Sequence, residues 1–282
     1  MKLARAIPVF MYHHVSPSPG LVTVSPETFR SQMEALCRAG WKTVGLNELA
    51  NFLSGQPLPD RTCILTFDDG YLDNYVYAHP VLAEFGMKAV LFLITGWIGT
   101  GHHRSLTAMP PTSHAQCMAA VREGRFSDVM LHWSEVEKMT RAGTFEFHSH
   151  THTHQRWDLT IPDTVERISR LRDDLLNSRL SLEKNLGIVS PHLCWPQGFY
   201  DGTYQQCAHG VGFDYLYTTE KALVKKGIDP LAIGRIVTKD RPGAWITHRA
   251  SIYASPLLGG LYVKAQKLKL SGAKSCHKSP KK

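Results

Sequence analysis

The chain has 282 residues, 43% hydrophobic and 20% charged, which supplies a full core and excludes a disordered protein. No run approaches the roughly 18 to 20 apolar residues of a spanning helix, and the opening MKLARAIPVFMYHHVSP breaks at Pro8 and His13 before a secretory h-region could form. The net charge of +8 is uneven: residues 241–282 hold two arginines, seven lysines and no acid, so they carry +9 and leave the first 240 at −1.

That asymmetry divides the chain into a neutral body, residues 1–240, and a basic extension, 241–282, expected to be flexible at its end. Six cysteines stand far apart with no CxxC pair, the pattern of a reduced, intracellular chain. In chain order, IPVFMY (7–12) reads as a buried strand. Ser25 then caps a helix with Pro26 at its first position, and Gly40 stops it. CILTF (63–67) is the next strand and ends abruptly in two aspartates; a helix from about Tyr75 to Phe85 and the strand KAVLFLI (88–94) follow. The segment up to about Leu131 is too long for a simple connection and is expected to shape a substrate or partner surface. Ser134 with Glu137 reads as a capping box for a helix ending at Gly143, before the strand TFEF (144–147). A long amphipathic helix over about 163–186 leads to HLCW (192–195), with weaker strands near 215–218 and 232–237. The alternation predicts parallel strands joined by crossover helices, and no internal repeat is present.

Strands 7–12, 63–67, 144–147 and 192–195 each finish in reactive or turn-forming residues: His13-His14, Asp68-Asp69, a histidine cluster and Pro196-Gln197-Gly198. In a parallel barrel such ends share one rim. The cluster FHSHTHTH places His148, His150, His152 and His154 at alternate positions. Extended, all four face one side; turned, a pair such as His150 and His154 meets. Two imidazoles leave a divalent metal short of ligands, and an aspartate from another strand end is the natural third.

TFDDGY (66–71) together with SHTHTH (149–154) resembles the first two motifs of the metal-dependent polysaccharide deacetylases, the NodB-homology or carbohydrate esterase family 4 enzymes. PVFMYHHVS and TFDDGYLDNYVYAHPVLAEFGMKAVLFL further resemble the branch containing poly-N-acetylglucosamine deacetylases, and the similarity runs from about residue 7 to 240. The resemblance implies an α/β fold, a distorted (β/α) barrel of seven or eight parallel strands. It implies Asp69, His150 and His154 as metal ligands, with zinc the first expectation and nickel, cobalt or iron as alternatives. It implies Asp68 as catalytic base and, from the early Tyr12-His13 segment, His13 as general acid, since a late Leu-x-His motif is not evident and His248 matches it poorly.

The third motif of the family, usually Arg-x-Pro-Tyr-Gly, is here Cys194-Trp195-Pro196-Gln197-Gly198. The backbone role in holding the oxyanion is expected to survive at Gln197, and the arginine's role at Cys194 is not. Trp195 reads as core or as a sugar platform, and Arg235 as a residue that orients Asp68 or binds substrate. The implied reaction is metal-dependent hydrolysis of N-acetyl groups from N-acetylhexosamine units of a polysaccharide or glycolipid. The alternatives are a deformylase or amidase on a lipid- or nucleotide-linked sugar, and a degenerate carbohydrate-binding relative. An N-acetylated glycan is the expected partner, and nucleic acid is not. The expected location is cytoplasmic, with the lysine-rich tail touching the inner membrane face.

Overall fold

The computed structural model describes residues 2–106 and 112–275. The chain opens with β1 (Val9–Tyr12), β2 (His14–Val15), β3 (Thr23–Val24), α1 (Pro26–Arg38), β4 (Lys42–Thr43), α2 (Leu46–Leu53) and β5 (Thr62–Asp69). A π turn, Asn74–Ala78, runs into α3 (His79–Glu84), followed by β6 (Ala89–Leu93), α4 (His114–Arg122), α5 (Phe126–Val129), α6 (Trp133–Arg141) and β7 (Phe145–Ser149). Next come α7 (Trp157–Thr160), α8 (Thr164–Leu186), β8 (His192–Cys194), α9 (Gly202–Val211), β9 (Tyr215–Tyr217), β10 (Ile236–Val237), α10 (Gly243–Ala254) and α11 (Pro256–Ser275).

Seven strands pair in the order β10-β1-β5-β6-β7-β8-β9, every pair parallel, with β4 added beside the start of β5. The sheet curls into a half-barrel, and a bridge between Tyr217 and Ile233 draws its two edges together. Because side chains alternate along a strand, β5 serves two layers. Cys63, Leu65 and Phe67 face the outer helices, while Ile64 faces the barrel interior with Val9, Val90 and Phe92. In the outer layer Phe67 stacks on Tyr12 at 5.0 Å and meets Phe145 edge-on at 5.3 Å, pairs worth about 0.5–1.5 kcal/mol each beyond their burial. Leu46, Leu49 and Phe52 of α2 join the interior cluster and close the barrel floor. Glu146 of β7 accepts the Leu46 N–H at the start of that helix, and a Cβ at Gly45 would lie 2.1 Å from its carboxylate. Only glycine lets the cap approach.

Two expected helices begin differently. The helix expected from Tyr75 opens as a π turn, because Pro80 cannot donate to the carbonyl four residues back; His79 N–H bonds Asn74 O instead. The capping box of α6 is His132 with Glu135, not Ser134 with Glu137. The Glu135 carboxylate accepts three bonds from Arg104, from its backbone N–H, Nε and Nη2, and Ser134 Oγ is buried without a partner among the described residues. A tertiary ion pair thus sets where the helix starts.

The segment between β6 and α6 carries α4 and α5, which wall one side of the rim. Ile246, Ala250 and Tyr253 of α10 are buried in the same cluster as α1, so the first helix beyond residue 240 packs on the body. The end expected to be flexible, including Lys278, Lys281 and Lys282, lies outside the described residues.

Candidate active site

The rim where β1, β5, β7 and β8 end encloses a cleft of about 320 Å³ lined by His13, Asp68, Asp69, His150 and His154. The strand carries straight through both aspartates, so Asp68 and Asp69 point to different places. Asp69 sits at φ 77°, a left-handed conformation that costs a non-glycine residue about 1–3 kcal/mol. The turn continues through Gly70, at φ 93°, where a Cβ would lie 2.8 Å from Leu93.

β7 ends at Ser149, and the histidine run then turns: Thr151 and His154 have φ 66° and 61°. Asp174 of α8 holds this loop by accepting the His152 and Thr153 N–H groups, at 3.1 and 2.8 Å. The turn brings the His150 and His154 rings to 4.9 Å between centroids. Their Nε2 atoms lie 3.3 and 3.7 Å from Asp69 Oδ1. His150 Nδ1 donates to the Cys194 carbonyl at 2.8 Å, which aims its Nε2 lone pair at the cleft. Ligand atoms of Asp69, His150 and His154 all lie within 4.8 Å of one another. Burial opposes charge on Asp69, but the surrounding His150, His13 and His154 rings outweigh it and hold the carboxyl well below its usual range. Burial and the neighbouring His150 take His154 down to about 4, which leaves that ring neutral. A carboxylate and two aimed imidazoles on one side of an open cleft fit a divalent cation with free positions.

Asp68 is held apart from this set. Arg235, fully buried, donates to Asp68 Oδ1 from Nη1 at 2.6 Å and to Oδ2 from Nη2 at 2.8 Å. Its Nε donates to the Thr218 carbonyl, and its Nη2 lies 3.0 Å from Cys194 Sγ. Burial raises the Asp68 carboxyl, and Arg235 pulls it below the ordinary value. A guanidinium therefore does grip this aspartate, although Cys194 replaces the motif arginine; it comes from the approach to β10. Asp68, His150 and Cys194 also lie within 4.8 Å. Arg235 occupies both oxygens of Asp68, and burial keeps the Cys194 thiol protonated, so Asp69, His150 and His154 are the set that suits a cation.

His13 Nε2 lies 3.7 Å from Asp68 Oδ2 on the opposite wall, with burial lowering its pKa and the aspartates partly restoring it. Gln197 sits at φ 55° with its Oε1 accepting from Arg156 at 3.1 Å. Trp195 is 1% exposed and packs on Tyr204 beside the cleft, and its Nε1 is buried with no partner among the described residues. Of the remaining histidines in the run, His148 bonds Ser190 inside the barrel and His152 bonds Thr95. His248 is exposed on α10, away from the cleft. One group of residues was not foreseen: buried His14 Nδ1 donates to Asp73 Oδ2 at 2.6 Å, and its Nε2 lies 3.0 Å from Nδ1 of His114, which lines the cleft. No local pattern links positions 14 and 114.

A larger cavity, of about 560 Å³, lies between Arg104, Gln116 and Asp128. It contains none of His13, Asp68, Asp69, His150 and His154, and Arg104 and Asp128 are already paired with Glu135 and Arg125. Among the described residues, six non-glycine positions have positive φ, and of these Val22, Asp69, Thr151, His154 and Gln197 line the smaller cleft or adjoin its histidines. Strain concentrates where chemistry is built.

Residues 55–216 match the family model described as polysaccharide deacetylase. The chain belongs to the polysaccharide deacetylase family. It is 41% identical over 98 residues to YxkH of Bacillus subtilis, whose name places it among polysaccharide deacetylases, covering 34% of this chain and 35% of that one. It is 24% identical over 217 residues to the poly-beta-1,6-N-acetyl-D-glucosamine N-deacetylase of Escherichia coli, covering 72% of this chain and 32% of that enzyme. The chain thus spans about a third of the length of these curated relatives. The structure of IcaB from Ammonifex degensii superposes with a TM-score of 0.70 at 23% identity, over 89% of this chain and 98% of that one. At that identity the likeness speaks for the deacetylase barrel fold.

Proposed function

We propose that this deacetylase removes N-acetyl groups from N-acetylhexosamine units of a polysaccharide or glycolipid, using a divalent cation held by Asp69, His150 and His154. The observation that carries the reading is the rim itself: one carboxylate and two imidazoles converge beside a second carboxylate that Arg235 keeps ionised. When bound, a divalent cation supplies Lewis-acid activation of water and of the acyl carbonyl, and zinc suits the donor set best.

The chain's own residues supply the rest. Asp68, 3.7 Å from His13 and fixed by two charge-assisted bonds, accepts the proton of the attacking water. His13, on the other wall, delivers a proton to the departing amine. The left-handed turn at Gln197 supports a backbone N–H aimed at the developing oxyanion. Products are acetate and a free amino sugar.

The test is acetate release from β-1,6-linked N-acetylglucosamine oligomers by metal-loaded protein, before and after chelation. Release that chelation abolishes and zinc restores supports the reading. Stoichiometric metal without acetate release, while formyl-sugar analogues are hydrolysed, moves the substrate to another acyl group.

A further inference from the structure

We propose that α11 lies in the plane of an anionic phospholipid surface, with its leucine face against the lipid. The helix has one satisfied side: Tyr262 meets Tyr253 at 5.9 Å and lies under the Arg249 guanidinium at 4.7 Å, and Gly259 lies close against Leu223. The other side is apolar where solvent would favour charge. Leu257, Leu258, Leu261 and Leu268 are 72%, 55%, 60% and 71% exposed, and with exposed Ala265 they fall within an arc of roughly 100° at the helical repeat. Exposed Lys264 borders the arc.

A row of four exposed leucines on one helix is unlike the scattered apolar residues of an ordinary surface. Its surroundings select the occupant. No acid occurs from residue 241 to 282, a stretch carrying +9, so a second copy of this face is repelled, whereas an anionic lipid surface attracts it. No helix among the described residues is long and apolar enough to cross a membrane, so the contact is one of lying on the surface.

The test is sedimentation of the full chain with vesicles of phosphatidylcholine containing phosphatidylglycerol, and with phosphatidylcholine alone. The expected result is binding to the anionic vesicles, weakened by salt. The combined L257Q/L261Q/L268Q variant should bind at least about tenfold more weakly, and Lys264→Glu a few-fold more weakly, both with unchanged thermal unfolding. These residues lie outside the cleft, so acetate release from soluble oligomers should be unaffected, which keeps this proposal separable from the catalytic one. Equal, salt-insensitive binding to both vesicles, no binding to either, or a solution dimer abolished by the leucine substitutions would overturn it.

Discussion

Two histidine–carboxylate clusters share one barrel interior, and only one of them is built to react. At the rim, Asp68, Asp69, His13, His150 and His154 surround an open cleft on strained backbone. Toward the floor, Glu146 and His148 sit on one face of β7, the strand whose end leads into His150, with His192 edge-on against His148 at 4.8 Å. Composition and burial barely distinguish them. Glu146 and His148 are spent on structure: Glu146 caps α2 and lies 3.2 Å from His148 Nε2, and His148 Nδ1 lies 2.6 Å from Ser190 Oγ, while His192 Nε2 is buried with no partner among the described residues. At the rim Arg235 holds Asp68 ionised, and Asp69, His150 and His154 line the open cleft. A reactive cluster is thus marked by strain and by unspent polarity facing a cleft, rather than by residue type.

The sharpest way to break that comparison is to remove the rim acid. His13→Gln should lower kcat by about 10²–10⁴-fold while metal content and thermal unfolding stay at wild-type values; acetate-release kinetics with metal analysis would check it. Arg235→Met should come next, because it leaves Asp68 buried without its cation. The carboxyl then rises, so the acid limb of the kcat/KM profile moves to higher pH. The stability that the depressed Asp68 contributes above the ordinary carboxylate range, and loses as pH falls through its native value, should vanish. Denaturant unfolding at neutral pH should show a loss of about 3–5 kcal/mol.

The floor should respond in the opposite sense. Glu146→Gln weakens a helix cap, so unfolding should report about 1 kcal/mol lost with kcat unchanged. Burial raises the Glu146 carboxyl, and its bonds to His148 and Leu46 bring it below the ordinary value. The lost stability should therefore be present near neutrality and fade as pH falls through the native carboxyl value. The smallest effect belongs to Cys194→Ala, where a small buried thiol 3.0 Å from Arg235 Nη2 and 3.9 Å from Asp68 Oδ2 is trimmed. Acetate release within a few-fold of wild type and a loss under about 1.5 kcal/mol are expected, and a complete loss of turnover would instead give the thiol a chemical part.

Much of the rim was legible in the sequence, because strand ends in a parallel barrel converge by topology. Asp68-Asp69 and the histidine run stood out at strand ends, but spacing left the choice among the four histidines open, and the family resemblance singled out His150 and His154. The partner of Asp68 was harder: Arg235 stands 167 positions away, and only the fold sets its fork on both oxygens. The Asp73–His14–His114 chain was hidden for the same reason, since its third member comes from the insertion after β6. Helix starts failed where tertiary pairing overrides local signals, as when Arg104 claims Glu135 and shifts the α6 cap. The plug helix α2 was missed because its start is capped from β7, a hundred residues on.

The central claim is that adjacent aspartates divide the labour, Asp69 holding the cation and Asp68 handling the proton. Metal content and acetate release of Asp68→Asn and Asp69→Asn, measured side by side, test it most directly. Asp68→Asn is expected to keep stoichiometric metal and lose turnover by about 10³-fold, and Asp69→Asn to lose both. Loss of metal in Asp68→Asn, or full metal retention in Asp69→Asn, would contradict it.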